Sequence, residues 1–345
     1  MDEKRIAEPV LVTGGAGFIG GHLVHQLARA GLEVRLLDIR PPVNKLQSNV
    51  KVTVASILDE DVLASLMSGV GTLFHCAAQA ALWVRDKDLY ERINVEGTSR
   101  VLHAAASAKV GRIVCTSTET ILKGWNDSSA GVISEDLPTV TLDNMAGPYT
   151  RSKWKAAELV RKAVDSGLPV VSVYPTIPVG PGDRSLTAPT VMIRDFVSGA
   201  TPAYLETCFN YVNVEDVARG HILAAANGHV GEGYILGGVN LGFTEFLDLL
   251  NTVTGQPMPE KKIPYALARA FAGLSEFGSR ISGQPPKASV EGVRLAKYDS
   301  IVTIAKARSQ LGYAPGNLQA ALAKSVSWLQ DEGLLEMHFL GKQGE

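Results

Sequence analysis

The first regular pattern in the chain is a short apolar run, Val10-Leu11-Val12-Thr13, which stops at Gly14-Gly15-Ala16-Gly17-Phe18-Ile19-Gly20. From His22 to Ala30 the apolar positions recur at helical spacing and end at Gly31, which predicts an amphipathic helix. The same unit then repeats. Strands are expected at 33–37, 50–54, 72–76, 112–116 and 169–174, and helices at 59–67, about 88–108 and 149–166. The helix at 149–166 carries its apolar stripe on Ala156, Ala157, Leu159, Val160, Ala163 and Val164 and is closed by Gly167. Alternating strands and helices predict an α/β chain with a doubly wound parallel sheet covered on both faces. In such sheets ligands bind beyond the carboxyl ends of the strands.

After Tyr174 the texture changes. Residues 175–183 read as a proline- and glycine-rich turn, followed by helical patterns at 191–198, 214–226, 244–254 and 265–279 and a strand at 234–236. The apolar stretch around 266–274 reads as a core-packed helix in preference to a membrane-surface one.

Composition narrows the function classes. The chain has 345 residues, 46% hydrophobic and 20% charged, with a net charge of −2, so charge gives no reason to expect nucleic acid or an anionic membrane as partner. The scattered Cys76, Cys115 and Cys208 suit a reducing compartment without a disulfide framework. The charged opening Met1–Arg5 reads as no signal peptide, and no apolar run reaches the 18 or so residues of a membrane span. The expectation is a cytoplasmic protein acting on a small molecule.

Three glycines at three-residue spacing between a strand and a helix let the backbone turn tightly and approach a pyrophosphate, which then sits on the helix N-terminus. Asp38 ends the second strand, where a carboxylate would accept hydrogen bonds from both adenosine ribose hydroxyls and repel a 2′-phosphate; this favours NAD over NADP, against the nearby Arg40. Tyr149 and Lys153 are four apart on a helix and share a face, about 5–6 Å apart at Cβ. An ammonium there would favour the phenolate, making a group that exchanges a proton with a carbonyl or alcohol oxygen. Ser117-Thr118-Glu119-Thr120 follows a strand, so a hydroxyl there is aimed into the crevice. The connection 122–147 reads as a loop over the site. Trp83 and Trp125 are candidate pocket walls, with plain packing as the alternative. His22, His25 and His75 lack metal-ligand company, and Cys76 reads as a buried structural thiol. No Gly-x-Ser-x-Gly elbow and no phosphate-binding Gly-Lys-Ser/Thr is present in the sequence.

Thr13–Gly20, Thr118 and Tyr149-x-x-x-Lys153, in this order and spacing, resemble the extended short-chain dehydrogenase/reductase family over nearly the whole chain. Ala77-Ala78, the 94–98 segment Asn-Val-Glu-Gly-Thr and the 211–218 segment Tyr-Val-Asn-Val-Glu-Asp-Val-Ala extend the likeness. Residues 175–183 and 234–238 are similar to the branch holding dihydroflavonol-reductase-like ketone reductases and hopanoid-associated sugar epimerases. The resemblance implies a Rossmann domain over 1–175 rejoined by 211–238, with a smaller, mostly helical substrate lobe at 176–210 and 239–345. It also implies a homodimer through the helices bearing Asn94 and Tyr149.

By the same resemblance Gly14, Gly17, Phe18, Ile19 and Gly20 hold the NAD pyrophosphate end and Asp38 the ribose. Ala77 and Asn94 line or brace the cofactor, Lys153 reaches the nicotinamide ribose, and Pro175 to Ile177 meet the nicotinamide. Thr118, with Ser117 as fallback, is the catalytic hydroxyl. Ser56, followed by Ile57, stands where the family often has an aspartate near the adenine, so contact there falls to the backbone. Thr207-Cys208-Phe209-Asn210 precedes Tyr211 where nucleotide-sugar enzymes carry an arginine. A diphosphate is not buried without a cationic partner. Phe209 and Tyr211 are therefore expected beside an apolar substrate of a ketone reductase, with an NAD-retaining epimerase or dehydratase as the second reading.

Overall fold

The computed structural model describes residues 6–128, 131–136 and 140–335. The opening 1–5, read above as no signal peptide, lies outside them, as does the end of the 239–345 segment. In chain order the elements are β1 (Val10–Thr13), α1 (Phe18–Arg29), β2 (Val34–Asp38), β3 (Val50–Val54), α2 (Glu60–Met67) and β4 (Thr72–His75). A long helical stretch follows: α3 (Asp88–Tyr90), a π-helical segment (Glu91–Gly97) and α4 (Thr98–Ser107). Then come β5 (Arg112–Thr116), α5 (Pro148–Asp165), β6 (Val170–Pro175), β7 (Ile177–Val179), α6 (Ala188–Val197), β8 (Cys208–Asn213) and α7 (Val214–Asn227). The rest is β9 (Gly233–Leu236), β10 (Val239–Gly242), α8 (Phe243–Thr254), α9 (Tyr265–Ser282), α10 (Val290–Leu295) and α11 (Leu318–Asp331).

Seven strands form one sheet in the order β3-β2-β1-β4-β5-β6-β9, every neighbour parallel. Its central strands β1 and β4 are buried at every position, as expected where helices cover both faces. The chain reverses direction of winding between β1 and β4, so the crevice beyond their carboxyl ends is the natural ligand site.

Three features differ from the sequence expectation. Residues 175–183 are not only a turn: β7 runs through them and joins β8 and β10 in a second, three-stranded sheet. β7 is an edge strand, so Pro178, which has no N–H, costs that sheet no ladder bond. The helical pattern at 88–108 is interrupted by the π-helical segment that carries Asn94. Helix α9 is not core-packed. Ala268, Ala272 and Ser279 face inward, while Leu267, Phe271, Leu274, Phe277 and Ile281 are exposed. Ala268 and Ala272 are too small to anchor much apolar surface, so the helix rests on its alanine face and turns its large side chains outward.

Candidate active site

The crevice is built by close backbone approach. Gly14 has φ +72°, and a Cβ on it would lie 2.6 Å from the Ala77 nitrogen beyond β4. A Cβ on Gly20 would lie 2.0 Å from the Gly14 carbonyl oxygen. The turn and the first helical turn of α1 are therefore packed backbone to backbone. No side chain caps α1 at Gly17, and no acidic residue occupies its first turn, which leaves its N–H groups available to an anion. Phe18 and Ile19 begin that helix, half-exposed. At the end of β2 the Asp38 carboxylate accepts from Ala16 N at 3.0 Å and from Arg40 N at 3.1 Å, while the Arg40 guanidinium turns away to Ser185 Oγ at 2.8 Å. Asp38 is held by the same turn that would meet a pyrophosphate.

Asn94 is buried and acts as a clamp. Its Oδ1 accepts from Gln79 N at 2.7 Å, and its Nδ2 donates to Gln79 O at 3.1 Å and to Ser152 Oγ at 2.8 Å. It thus ties the segment after β4 to α5. Ile57 is buried against Gly97, where an added Cβ would meet its Cδ1 at 2.5 Å.

Thr118, Tyr149 and Lys153 come together at the carboxyl end of β5 and the start of α5. Lys153 Nζ donates to Thr116 O at 2.8 Å, and burial pulls the ammonium down to about 8, so it stays mostly charged at neutral pH. The Tyr149 phenol is pushed up, contrary to the sequence expectation. Burial is the main cause, the Glu119 carboxylate adds to it, the Thr118 hydroxyl opposes it, and Glu291 adds a smaller push. The ammonium sits on the Thr116 carbonyl, so it does not outweigh burial and two carboxylates. The fallback hydroxyl of Ser117 is buried with no protein partner among the described residues; Ser117, Lys153, Thr116 and His75 line a cavity of about 20 Å³, the size of one water. His75 bridges Thr13 Oγ1 (2.8 Å) and Thr98 Oγ1 (3.0 Å), and burial brings it down to about 3, a neutral structural histidine. Burial also raises Cys76 to about 11, in keeping with an inert thiol.

Two acidic side chains complete the site, and neither had a role in the sequence reading. Glu119 is buried, its Oε2 accepts from Thr118 Oγ1 at 3.2 Å, and burial raises it to about 7. Its position directly after Thr118 was the available signal. Glu291 of α10 caps α5 from across the fold: its carboxylate accepts from Tyr149 N (3.0 Å), Thr150 N (2.7 Å) and Thr150 Oγ1 (2.9 Å). A carboxylate there is favoured by the orphan N–H groups and the helix dipole. Arg294, one turn on, donates to Ala146 O at 2.8 Å. Nothing local in the sequence announces this clamp, because Glu291 and Tyr149 are 142 residues apart.

The aromatic candidates divide. Trp125 is half-buried with the Arg294 guanidinium 4.9 Å and the Lys297 ammonium 5.3 Å from its ring centre; Lys87 lies 5.0 Å from the Trp83 ring centre. Tyr211 is 0% exposed and stacks on Phe246 with 4.3 Å between centroids, and Phe209 packs edge-on to it in the same core. Two residues apart on β8, they share a face, and that face looks into the second core. Tyr211 therefore has no surface to offer a substrate.

A tight glycine turn, an open helix N-terminus, a carboxylate at the end of β2 and the Tyr149–Lys153–Thr118 cluster, all at a doubly wound switch point, are what a dinucleotide-dependent enzyme requires. A family model described as the NAD dependent epimerase/dehydratase family matches residues 10–237. The chain belongs to that family, within the extended short-chain dehydrogenases/reductases, and its cofactor is NAD. Among its relatives is a Synechocystis sp. protein bearing a dihydroflavonol 4-reductase name, 33% identical across 96% of this chain and 97% of that one. A second, the 4-hydroxy-2-methyl-3-oxo-4-farnesyl-3,4-dihydroquinoline-1-oxide ketoreductase of Stigmatella aurantiaca, is 33% identical across 88% and 91%. The crystal structure of gox2253 superposes with a TM-score of 0.83 at 34% identity, covering 96% of this chain and all of that one.

Proposed function

We propose that this protein is a dehydrogenase/reductase that interconverts a secondary alcohol and its ketone on a small to mid-sized, fairly apolar molecule. The observation that carries the reading is the joint position of Tyr149, Thr118 and Lys153 beside the β1/β4 crevice. Bound NAD supplies or accepts the hydride. Gly14, Gly17 and Gly20, with the open end of α1 at Phe18 and Ile19, would receive the pyrophosphate, and Asp38 the adenosine ribose. Ala77, Asn94 and the 175–177 backbone would brace the cofactor, with Ile57 close to the adenine. Tyr149 would give or take the proton at the substrate oxygen, Thr118 would hold that oxygen, and Lys153 would fix the nicotinamide ribose. Trp83 and Trp125 would wall the substrate. Arg294 and Lys297 are the cations near Trp125, and Arg294 is committed to the Ala146 carbonyl and the indole face, which leaves a nucleotide diphosphate poorly served. The farnesylated substrate in the Stigmatella relative's name agrees with an apolar pocket. The reading includes a 1–175 plus 211–238 cofactor domain, a substrate lobe from the remainder, and a homodimer through the helical segments bearing Asn94 and Tyr149.

A second reading, an epimerase or dehydratase with retained NAD, draws on Glu119, a buried carboxyl beside Thr118 able to handle a second proton. The nucleotide content of the purified protein separates the two. Empty protein that binds NADH reversibly and oxidises it with apolar ketones supports the reductase; NAD held at one per chain through dialysis, with no net turnover of NADH, replaces it with the epimerase. Asp38→Ala is expected to raise NADP use relative to NAD by roughly ten-fold or more. An unchanged NAD/NADP ratio of kcat/KM would remove Asp38 from cofactor choice.

Glu119 also predicts a pH effect. Above about pH 7 the carboxylate is ionised and opposes ionisation of Tyr149. Glu119→Gln removes that charge, so the rising limb of the alcohol-oxidation profile should move to lower pH, by roughly one unit. A limb that stays in place would detach Glu119 from the Tyr149 proton.

A further inference from the structure

We propose that helix α9 docks the enzyme on an anionic lipid bilayer. Leu267, Phe271, Leu274, Phe277 and Ile281 recur at three- and four-residue spacing, which sets them along one stripe. They are 56, 49, 73, 62 and 78% exposed, together the largest run of exposed apolar side chains on any element of the described residues. The stripe spans residues 267–281, about 21 Å at 1.5 Å per residue, so it suits a helix lying in the membrane plane. No helix among the described residues is long and apolar enough to cross a membrane.

The charge around the stripe names the occupant. From Glu260 to Lys297 the chain carries seven basic and three acidic residues, a net of +4 in a protein whose total is −2. Lys261, Arg269, Arg280 and Lys287 are exposed, and none is within ion-pair distance of a carboxylate among the described residues. By contrast Lys262 is paired with Glu206, and the Glu276 carboxylate is turned to Val290 N. Apolar side chains bordered by free cations match the acyl boundary and phosphate layer of an anionic leaflet. Pairing this stripe with a second copy of itself would bring like charges together. Whole-chain charge conceals this local excess, which is why the net charge of −2 offers no electrostatic reason for a membrane partner.

The position of the helix gives the docking a use. Tyr265, at the start of α9, shares Lys297 with Trp125. At the other end a Cβ on Gly283 would lie 3.4 Å from the Arg85 guanidinium, and Arg85 is two residues from Trp83. Both proposed substrate walls thus lie near the two ends of the helix that would dock on lipid, which gives an apolar substrate a short path from the bilayer to the site. That use rests on the proposed substrate class; the docking does not.

The test is co-sedimentation of the full chain with vesicles of phosphatidylcholine alone and with phosphatidylglycerol added, at low and high salt. Binding is expected to the anionic vesicles, to weaken with salt, and to fall on the order of 10-fold or more in Leu274→Ser/Phe277→Ser and in Arg269→Ser/Arg280→Ser. Those side chains are exposed, and NADH binding by each variant, expected unchanged, reports that the fold is intact. Absence of vesicle binding by the parent protein overturns the proposal. So does a concentration-dependent dimer that Leu274→Ser/Phe277→Ser abolishes while vesicles bind parent and variant equally, since the occupant would then be a second copy.

Discussion

Tyr149→Phe is expected to lower the turnover of NADH-dependent ketone reduction by about 10²–10⁴-fold, the usual worth of a positioned proton donor. NADH affinity should change little, because the phenol oxygen, not the ring, is removed. The ring stays packed 6.5 Å from Tyr90 between centroids, and the backbone N–H stays bonded to Glu291. The variant should therefore fold as the parent does, which makes the loss chemically interpretable. Burial and two carboxylates keep Tyr149 protonated at neutral pH, so it holds the proton that the ketone oxygen has to receive. Removal of NADH absorbance on mixing with the best ketone substrate measures it. Turnover within a few-fold of the parent would mean that the proton comes from elsewhere, and the proposed roles of Tyr149 and Thr118 would fall together.

Gly14→Ala should be among the most damaging single methyls in the protein. Two costs add at one position. The left-handed backbone at φ +72° disfavours an L side chain by about 1–2 kcal/mol. The new Cβ would also lie 2.6 Å from the Ala77 nitrogen and 2.7 Å from its Cα, backbone atoms that cannot step aside without parting β1 from β4. Overpacking of that kind costs about 1–3 kcal/mol more. Denaturant unfolding should show the sum, about 2–5 kcal/mol, and NAD affinity should collapse if the crevice it widens seats the cofactor as proposed. Gly31→Ala is the internal control. Its φ is +86° but nothing lies within 4 Å of its Cβ, so only the backbone cost of about 1–2 kcal/mol should appear, with NAD binding retained. Equal losses at the two positions would show that the close approach to Ala77 does not matter.

Much of this molecule was legible before its structure. The positions of β1 to β6 and of α1, α2 and α5 followed from apolar spacing and glycine stops, because strand and helix periodicities are properties of adjacent residues. The glycine turn, Asp38 and the Tyr149–Lys153 pair were legible for the same reason: each is a short segment whose chemistry lies in its own spacing. The family assignment rests on those segments and matches the comparison across residues 10–237.

The misreadings have another common origin. β7 was hidden by Pro178, a residue that signals a turn and is tolerated only because β7 became a sheet edge. Tyr211 looked like a pocket aromatic from its place in a motif, and only packing against Phe246 fixed which way its face of β8 looks. The phenol of Tyr149 went up and not down because packing buries it, with Glu119 and then Glu291, 142 residues away, adding to the push, while the Lys153 ammonium settled on the Thr116 carbonyl. Helix α9 was recognised as a helix but assigned to the core, since periodicity reports that a stripe exists and not what covers it. The sequence by itself determined the alternation of β1 to β6 with their helices, the glycine turn and the placing of Tyr149 and Lys153 on one helix face, because those depend on neighbours along the chain. The tertiary structure alone decided which faces are buried, which carboxylates tune the tyrosine and which apolar stripe is left to solvent, because those depend on groups that meet only when distant segments pack.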